Sequence, residues 1–149
     1  MEGTFPASRV RVWRLLRAHT DESTLHEIHP WIQVRKILRE EGPVTAEGLT
    51  FHTIRVVERD MDVAGRTRQT TWTYRIRPLE EYSYRIAIAD GSAIHVENSY
   101  ADAGGDTRIA SRITFSVGTI PDFLQRLIVR RVLNRTDRED LAYFRKTNL

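Results

Sequence analysis

Apolar residues recur at two different periods along this chain, and the change of period marks its elements. A short strand through Gly3 to Phe5 opens it. In the run RVRVWRLLRAHT just after it, Val10, Trp13 and Leu16 or Arg17 fall at helical spacing, with Ser8 placed as the cap. A second short helix is predicted from Asp21 to Ile28, capped by Thr20 with Ser23 at its third position. His29-Pro30 ends it, because a residue before proline is driven out of helical geometry. From Trp31 onward the pattern becomes alternation rich in β-branched and aromatic residues. It predicts six strands, over Ile32 to Glu40, Leu49 to Arg59, Arg66 to Arg77, Glu81 to Ala89, Ala93 to Ala101 and Thr107 to Val117. The turns between them, at Glu41-Gly42-Pro43, Asp62 to Gly65, Asp90-Gly91 and Gly104-Gly105-Asp106, are short enough to imply sequential antiparallel neighbours.

Alternation also assigns faces. Trp72, Tyr74 and Ile76 share one side of their strand, as do Tyr82, Tyr84, Ile86 and Ile88 in the next. Ile94, Val96, Asn98 and Tyr100 continue that face, and Ile109, Ser111, Ile113, Phe115 and Val117 complete it. Gln69, Thr71, Arg75, Arg85, His95, Glu97, Arg108 and Arg112 fall on the opposite side, so one face is buried and one is wet. Thr119-x-x-Asp122 then starts a helix of about 25 residues. Its helical spacing picks out Phe123, Leu127, Arg130, Asn134, Asp137, Leu141 and Phe144, an apolar stripe interrupted by polar groups in the middle.

The chain has 149 residues, enough for one domain spanning 1–149 with a sizeable core. There is no cysteine, which removes disulfides, thiolate metal sites and cysteine nucleophiles and leaves oxygen and nitrogen chemistry. No run has the length of a membrane-spanning helix and no signal-peptide pattern opens the sequence, so the expected location is the cytoplasm. Of the 23 basic residues 21 are arginine, most of them beside Asp or Glu, as in LREEG, VERDMD and NRTDRED. That is the signature of an ion-paired surface rather than of a basic face for nucleic acid, and no nucleic-acid partner is expected.

A strand, two small helices, six antiparallel strands and one long terminal helix make the order of the START-like superfamily, also called Bet v 1-like or SRPBCC. GTFPASRVRVWRLLRA resembles the opening strand and first helix of that superfamily, GGDTRIASRITFSV its last strand, and IPDFLQRLIVRRVLNRTDREDLAYFRK its final helix. Within the superfamily the chain is similar to the polyketide cyclase/dehydrase group, including the single-domain aromatase/cyclases, through LNRTDR at Leu133 to Arg138 and Lys146. The resemblance implies an α+β helix-grip fold, a seven-stranded curved antiparallel sheet gripping the last helix around a cavity. The mouth of that cavity would lie near Asp62 to Gly65, Asp90-Gly91 and Gly118 to Pro121. The polar residues of the helix stripe point the same way, since buried polar groups without partners cost about 1–3 kcal/mol each.

Candidate ligand-binding residues are the aromatics Trp72, Tyr74 and Tyr100, with Asn98 on the sheet and Phe123, Leu127 and Arg130 on the helix. Flat rings with hydroxyl tips suit a planar, oxygenated ligand, and ordinary core packing accounts for any one of them as well. Candidate catalytic residues are Arg68, Tyr84, His52 and Asn134. An arginine would hold a ketone or enolate, a role for which Arg55, Arg59 and Arg68 compete. Tyr84 or His52 would move a proton, and an amide at Asn134 would hold a carbonyl or a water. His26-x-x-His29 places two imidazoles on one helical face without a third ligand, so no metal is expected, and no cofactor motif is present.

These residues suit aldol closure and dehydration of a polyketide-like chain, in which the cavity folds a flexible poly-ketone into reacting geometry. A non-catalytic carrier of a lipid or quinone would use the same cavity, and a protein-partner module is a third class. The expected partners are a hydrophobic small molecule and, for an enzyme of this kind, an acyl carrier protein, with the chain acting as monomer or homodimer.

Overall fold

The computed structural model describes residues 2–63, 65–88, 91–116 and 122–147. β1 (Glu2–Phe5) leads into α1 (Arg9–Ala18) and α2 (Glu22–Ile28). The strands β2 (Ile32–Glu41), β3 (Val44–Ala46), β4 (Leu49–Phe51), β5 (Ile54–Val63), β6 (Arg66–Arg77), β7 (Glu81–Ile88), β8 (Ala93–Ala103) and β9 (Asp106–Ser116) come next, and α3 (Asp122–Thr147) closes the order. Seven strands form one antiparallel sheet in the order β1-β9-β8-β7-β6-β5-β2, and β3 and β4 pair separately. The architecture is thus α+β, a sheet with two short helices and one long terminal helix. No helix among the described residues is long and apolar enough to cross a membrane.

The register of β5 to β9 reflects the alternation. Trp72 pairs with Ile86, Tyr74 with Tyr84, Ile76 with Tyr82, and Tyr82 in turn with Asn98, so the residues of the expected inner face stand side by side. Trp13 of α1 is fully buried against that face. Its indole meets Phe51, Tyr82 and Tyr100 edge-on at centroid distances of 5.2, 6.3 and 5.4 Å, the geometry that ring quadrupoles favour. Thr107, also buried, donates to the Ala7 carbonyl at 2.8 Å and ties the start of α1 to β9.

Three local expectations change. Asp21, not Thr20, caps α2: its carboxylate accepts from the Thr24 amide at 3.0 Å and from the Ser23 and Thr24 hydroxyls, while Thr20 donates back to the Arg17 carbonyl. Ser8 stands at the N-cap of α1 without a side-chain bond. The strand expected over Leu49 to Arg59 is two strands with a break at His52-Thr53. There the β3–β4 hairpin folds back on the end of β2, Thr53 donating its amide to the Glu41 carbonyl at 2.7 Å. Gly42, at φ 116°, makes that crossing possible, because a Cβ on it would stand 3.0 Å from the Thr53 nitrogen. Phe51, before the break, and Val57, Arg59 and Met61, after it, share the buried parity, so the candidate His52 falls with Ile54 and Val56 on the other one. The Thr119-x-x-Asp122 cap and residues 64, 90 and 118–121 of the expected mouth lie outside the described residues.

Candidate functional site: an aromatic cavity with a buried arginine

The inner face of the sheet, the two short helices and α3 line a half-open cavity of about 460 Å³. Its sheet wall is aromatic. Trp72 stacks with Tyr74 and Tyr84 at centroid distances of 6.2 and 5.8 Å, and Tyr82 packs edge-on to Tyr74 at 5.7 Å. Tyr100 and Asn98 of β8 continue the wall, and Val12, Leu15 and Leu16 of α1 form the apolar side across from it.

Arg59 enters this space from β5 with only 2% of its surface exposed. Its guanidinium carbon lies 5.1 Å from the centre of the Trp72 ring and 4.9 Å from that of Tyr74. One terminal nitrogen donates to the His19 carbonyl at 3.4 Å, and Nε, also buried, meets no acceptor. No carboxylate among the described residues pairs with it, and burial lowers its pKa by penalising the charge. Aromatic faces offset part of that penalty, since cation–π contacts contribute about 0.5–2 kcal/mol, but they leave the in-plane N–H groups free to donate.

The phenols around it are donors for the same reason. Burial raises the pKa of Tyr74, Tyr82, Tyr84 and Tyr100, so each keeps its proton. The Tyr82 hydroxyl is buried without a partner. On the helix side Asp137 borders the cavity from an exposed position, and partial desolvation, with the Asp140 charge beside it, raises its carboxyl above the ordinary value.

A second polar group lies at the junction of the three helices. His19 Nε2 meets Asp140 Oδ1 at 2.7 Å, and His29 Nε2 lies 3.3 Å from the same oxygen. His29 Nδ1 is 2.6 Å from Glu139 Oε2, which also accepts from Trp31 Nε1 at 2.7 Å. Burial works against charge on Asp140, Glu139 and His29, and their mutual contacts outweigh it. Asp140 is held well below the usual carboxylate range and Glu139 below its own, while His29 is raised.

Of the residues expected at the site, Trp72, Tyr74, Tyr84, Asn98 and Tyr100 line the cavity. Among the three competing arginines it is Arg59 that does so. Arg68 has the right parity but stands further out, opposite Met61 towards the β5–β6 turn, and is exposed. Arg55 is ion-paired to Glu40 at 2.8 Å. His52 lies at the strand break beside Glu40, 3.5 Å from it, outside the cavity. The expected helix stripe holds in its second half, where Asp137 and Leu141 line the cavity and Phe144 packs on Phe5, and fails in its first half. Phe123 and Leu127 are 70% and 67% exposed, Arg130 and Asn134 are exposed, and Asn134 borders only a shallow surface hollow with Asp137 and Arg138. Leu133, Thr136, Asp137, Asp140 and Leu141 face the cavity. The polar members of this face have local or distant partners, Thr136 bonding back to the Leu133 carbonyl and Asp140 meeting His19, so hydrophobicity alone could not mark it. His19, Asp140 and Glu139 were not singled out by the sequence. Their contacts span more than a hundred residues and leave no local signal.

No family model and no curated protein sequence matches the chain. Solved structures do. The allergen Ara h 8.0201 superposes with a TM-score of 0.68 at 14% identity, over 94% of this chain and 92% of its own. The di-domain ARO/CYC BexL of the BE-7585A biosynthetic pathway gives 0.64 at 14% identity over 96% of this chain, which spans about half of BexL (47%). The ZhuI aromatase/cyclase of Streptomyces sp. R1128 gives 0.55 at 16% identity, covering 95% and 87%. Sheet order, the terminal helix and these superpositions together establish the helix-grip fold that the three structures share.

Proposed function

We propose that the cavity binds an oxygenated hydrophobic molecule and catalyses aldol closure and dehydration of a polyketide-like chain. The observation that carries this reading is Arg59, a buried guanidinium aimed into an aromatic cavity with no carboxylate among the described residues to neutralise it. A ligand that supplies a carbonyl or enolate oxygen completes its hydrogen bonds and balances its charge, which a purely apolar ligand does not. The similarity to BexL and ZhuI, whose names give an aromatase/cyclase activity, supports the same choice.

In this scheme the stacked wall of Trp72, Tyr74 and Tyr84 holds the folded chain flat, bringing one methylene carbon against one carbonyl carbon. Asp137, at the exposed edge of the cavity and made more basic by partial desolvation and by Asp140, removes the methylene proton. Arg59 stabilises the enolate, and the unpaired Tyr82 phenol donates to the carbonyl under attack. Loss of water from the resulting alcohol then aromatises the ring.

The test is turnover of a reactive poly-β-ketone by the pure chain, with products resolved by mass. Wild type should redirect spontaneous cyclisation to one ring pattern, and Arg59→Met should return the mixture formed without protein. Tight binding of lipids or quinones with an unchanged ketone product mixture would make the protein a carrier and end the catalytic reading.

A further inference from the structure

We propose that His19, His29 and Asp140 form a binding site for one divalent transition-metal ion of the zinc class, with an open coordination position turned into the cavity. Three elements supply the donors, the C-terminal ends of α1 and α2 and the C-terminal half of α3. The two imidazole Nε2 atoms lie 2.7 and 3.3 Å from one carboxylate oxygen, and one ligand atom from each of the three residues lies within 4.8 Å of the others. A tetrahedral ion at about 2.0–2.1 Å from each donor needs donors roughly 3.3 Å apart, so small rotations of the side chains suffice.

The surroundings support a ligand role more than a simple ion pair. His29 is anchored through its other nitrogen: Nδ1 faces Glu139 at 2.6 Å, and Glu139 is itself fixed by Trp31 Nε1 and by Arg135 Nε at 2.9 Å. A carboxylate on Nδ1 keeps the ring proton there and leaves the Nε2 lone pair towards Asp140, as outer carboxylates do for metal-bound histidines. Charge points the same way. The ion-pair partners of Asp140 among the described residues are the two imidazoles, with no arginine or lysine in reach, and Asp137 one turn earlier adds a further carboxyl on the same cavity. A divalent cation would balance these carboxylates with both imidazoles neutral. Two nitrogens and one carboxylate, without sulfur, fit zinc or iron(II) rather than calcium or magnesium. Because His19, Asp140 and Asp137 all line the cavity, the remaining position faces whatever ligand binds there. The site goes beyond the cyclase reading and does not depend on it.

The experiment is titration of the metal-depleted, untagged chain with Co²⁺ chloride, tracking visible d–d absorption and calorimetric stoichiometry, then displacement by Zn²⁺. One ion per chain is expected, with bands of low-symmetry N/O coordination. His19→Asn and Asp140→Asn should each weaken it at least about 100-fold, and Glu139→Gln, which spares the ligands, about 10- to 100-fold. His26→Asn, on the exposed side of α2, should leave it unchanged. If the ligand variants fail to fold, Glu139→Gln and wild type still decide the matter. Absence of stoichiometric binding by wild type, or binding that survives in His19→Asn or is lost with His26, overturns the site and leaves a metal-free cluster that pins α3.

Discussion

Burying a guanidinium without a carboxylate costs the unliganded fold several kcal/mol, and Arg59 bears that cost at the centre of the aromatic wall. Arg59→Met should therefore raise the melting temperature of the unliganded protein while weakening binding of a phenolic or polyketone ligand about 10- to 100-fold, the worth of a charged hydrogen bond. Calorimetry with and without ligand separates the two effects, and a variant that loses stability and binding together would make Arg59 a packing residue. Asp21 gives a simpler test. Hydrogen bonds from Thr24 and Ser23 lower its pKa from 3.8 to about 2, so its stabilisation is complete above about pH 4 and disappears as the pH falls through about 2. Asp21→Ala should cost about 1 kcal/mol at pH 7, with the gap from wild type closing in acid unfolding curves below pH 4. At this scale residue types were legible and positions were not. Three arginines suited the anion-holding role and all three have inward parity; their place along the strands and the capture of Arg55 by Glu40, not the break at His52-Thr53, set which one entered the cavity.

That break is a property of elements. Gly42 lets the β3–β4 hairpin cross closely over residues 51–53, and a Cβ there meets backbone at 3.0 to 3.2 Å in a left-handed conformation. Gly42→Ala should destabilise the protein by about 1–3 kcal/mol in urea unfolding. The uninterrupted strands, β6 to β9, were readable from alternation because each has one face in the core and one in water. The long helix was readable as an element but not as a face. Its inward side carries Gln125, Thr136 and Asp140 as well as Asp137, Leu141 and Phe144, while Phe123 and Leu127 stand in solvent, so a periodicity of hydrophobic residues selected the right stripe only in the second half of the helix. Leu127→Ser should accordingly change stability by less than about 0.5 kcal/mol, whereas Trp13→Ala, which empties the space among Phe51, Tyr82 and Tyr100, should cost about 3–5 kcal/mol by the same unfolding assay.

For the molecule as a whole, a cavity of about 460 Å³ makes stability depend on its occupant. A ligand present at 100 times its dissociation constant adds about 2.7 kcal/mol, which for a chain of 149 residues is an upward melting shift of about 5–11 °C. A panel of polyketones, phenols, quinones and fatty acids ranked by this shift should place the oxygenated aromatics first and should lose that order in Arg59→Met. The order of elements, their antiparallel sequence and the aromatic inner face were determined by the sequence alone, because backbone hydrogen bonding and burial impose periods of 2 and 3.6 that any local stretch displays. The choice of Arg59, the inward face of the first half of the long helix and the meeting of His19, His29 and Asp140 were decided only in the tertiary structure. Each depends on a contact between segments remote in the chain, and such a contact leaves no periodic trace in either of the segments it joins.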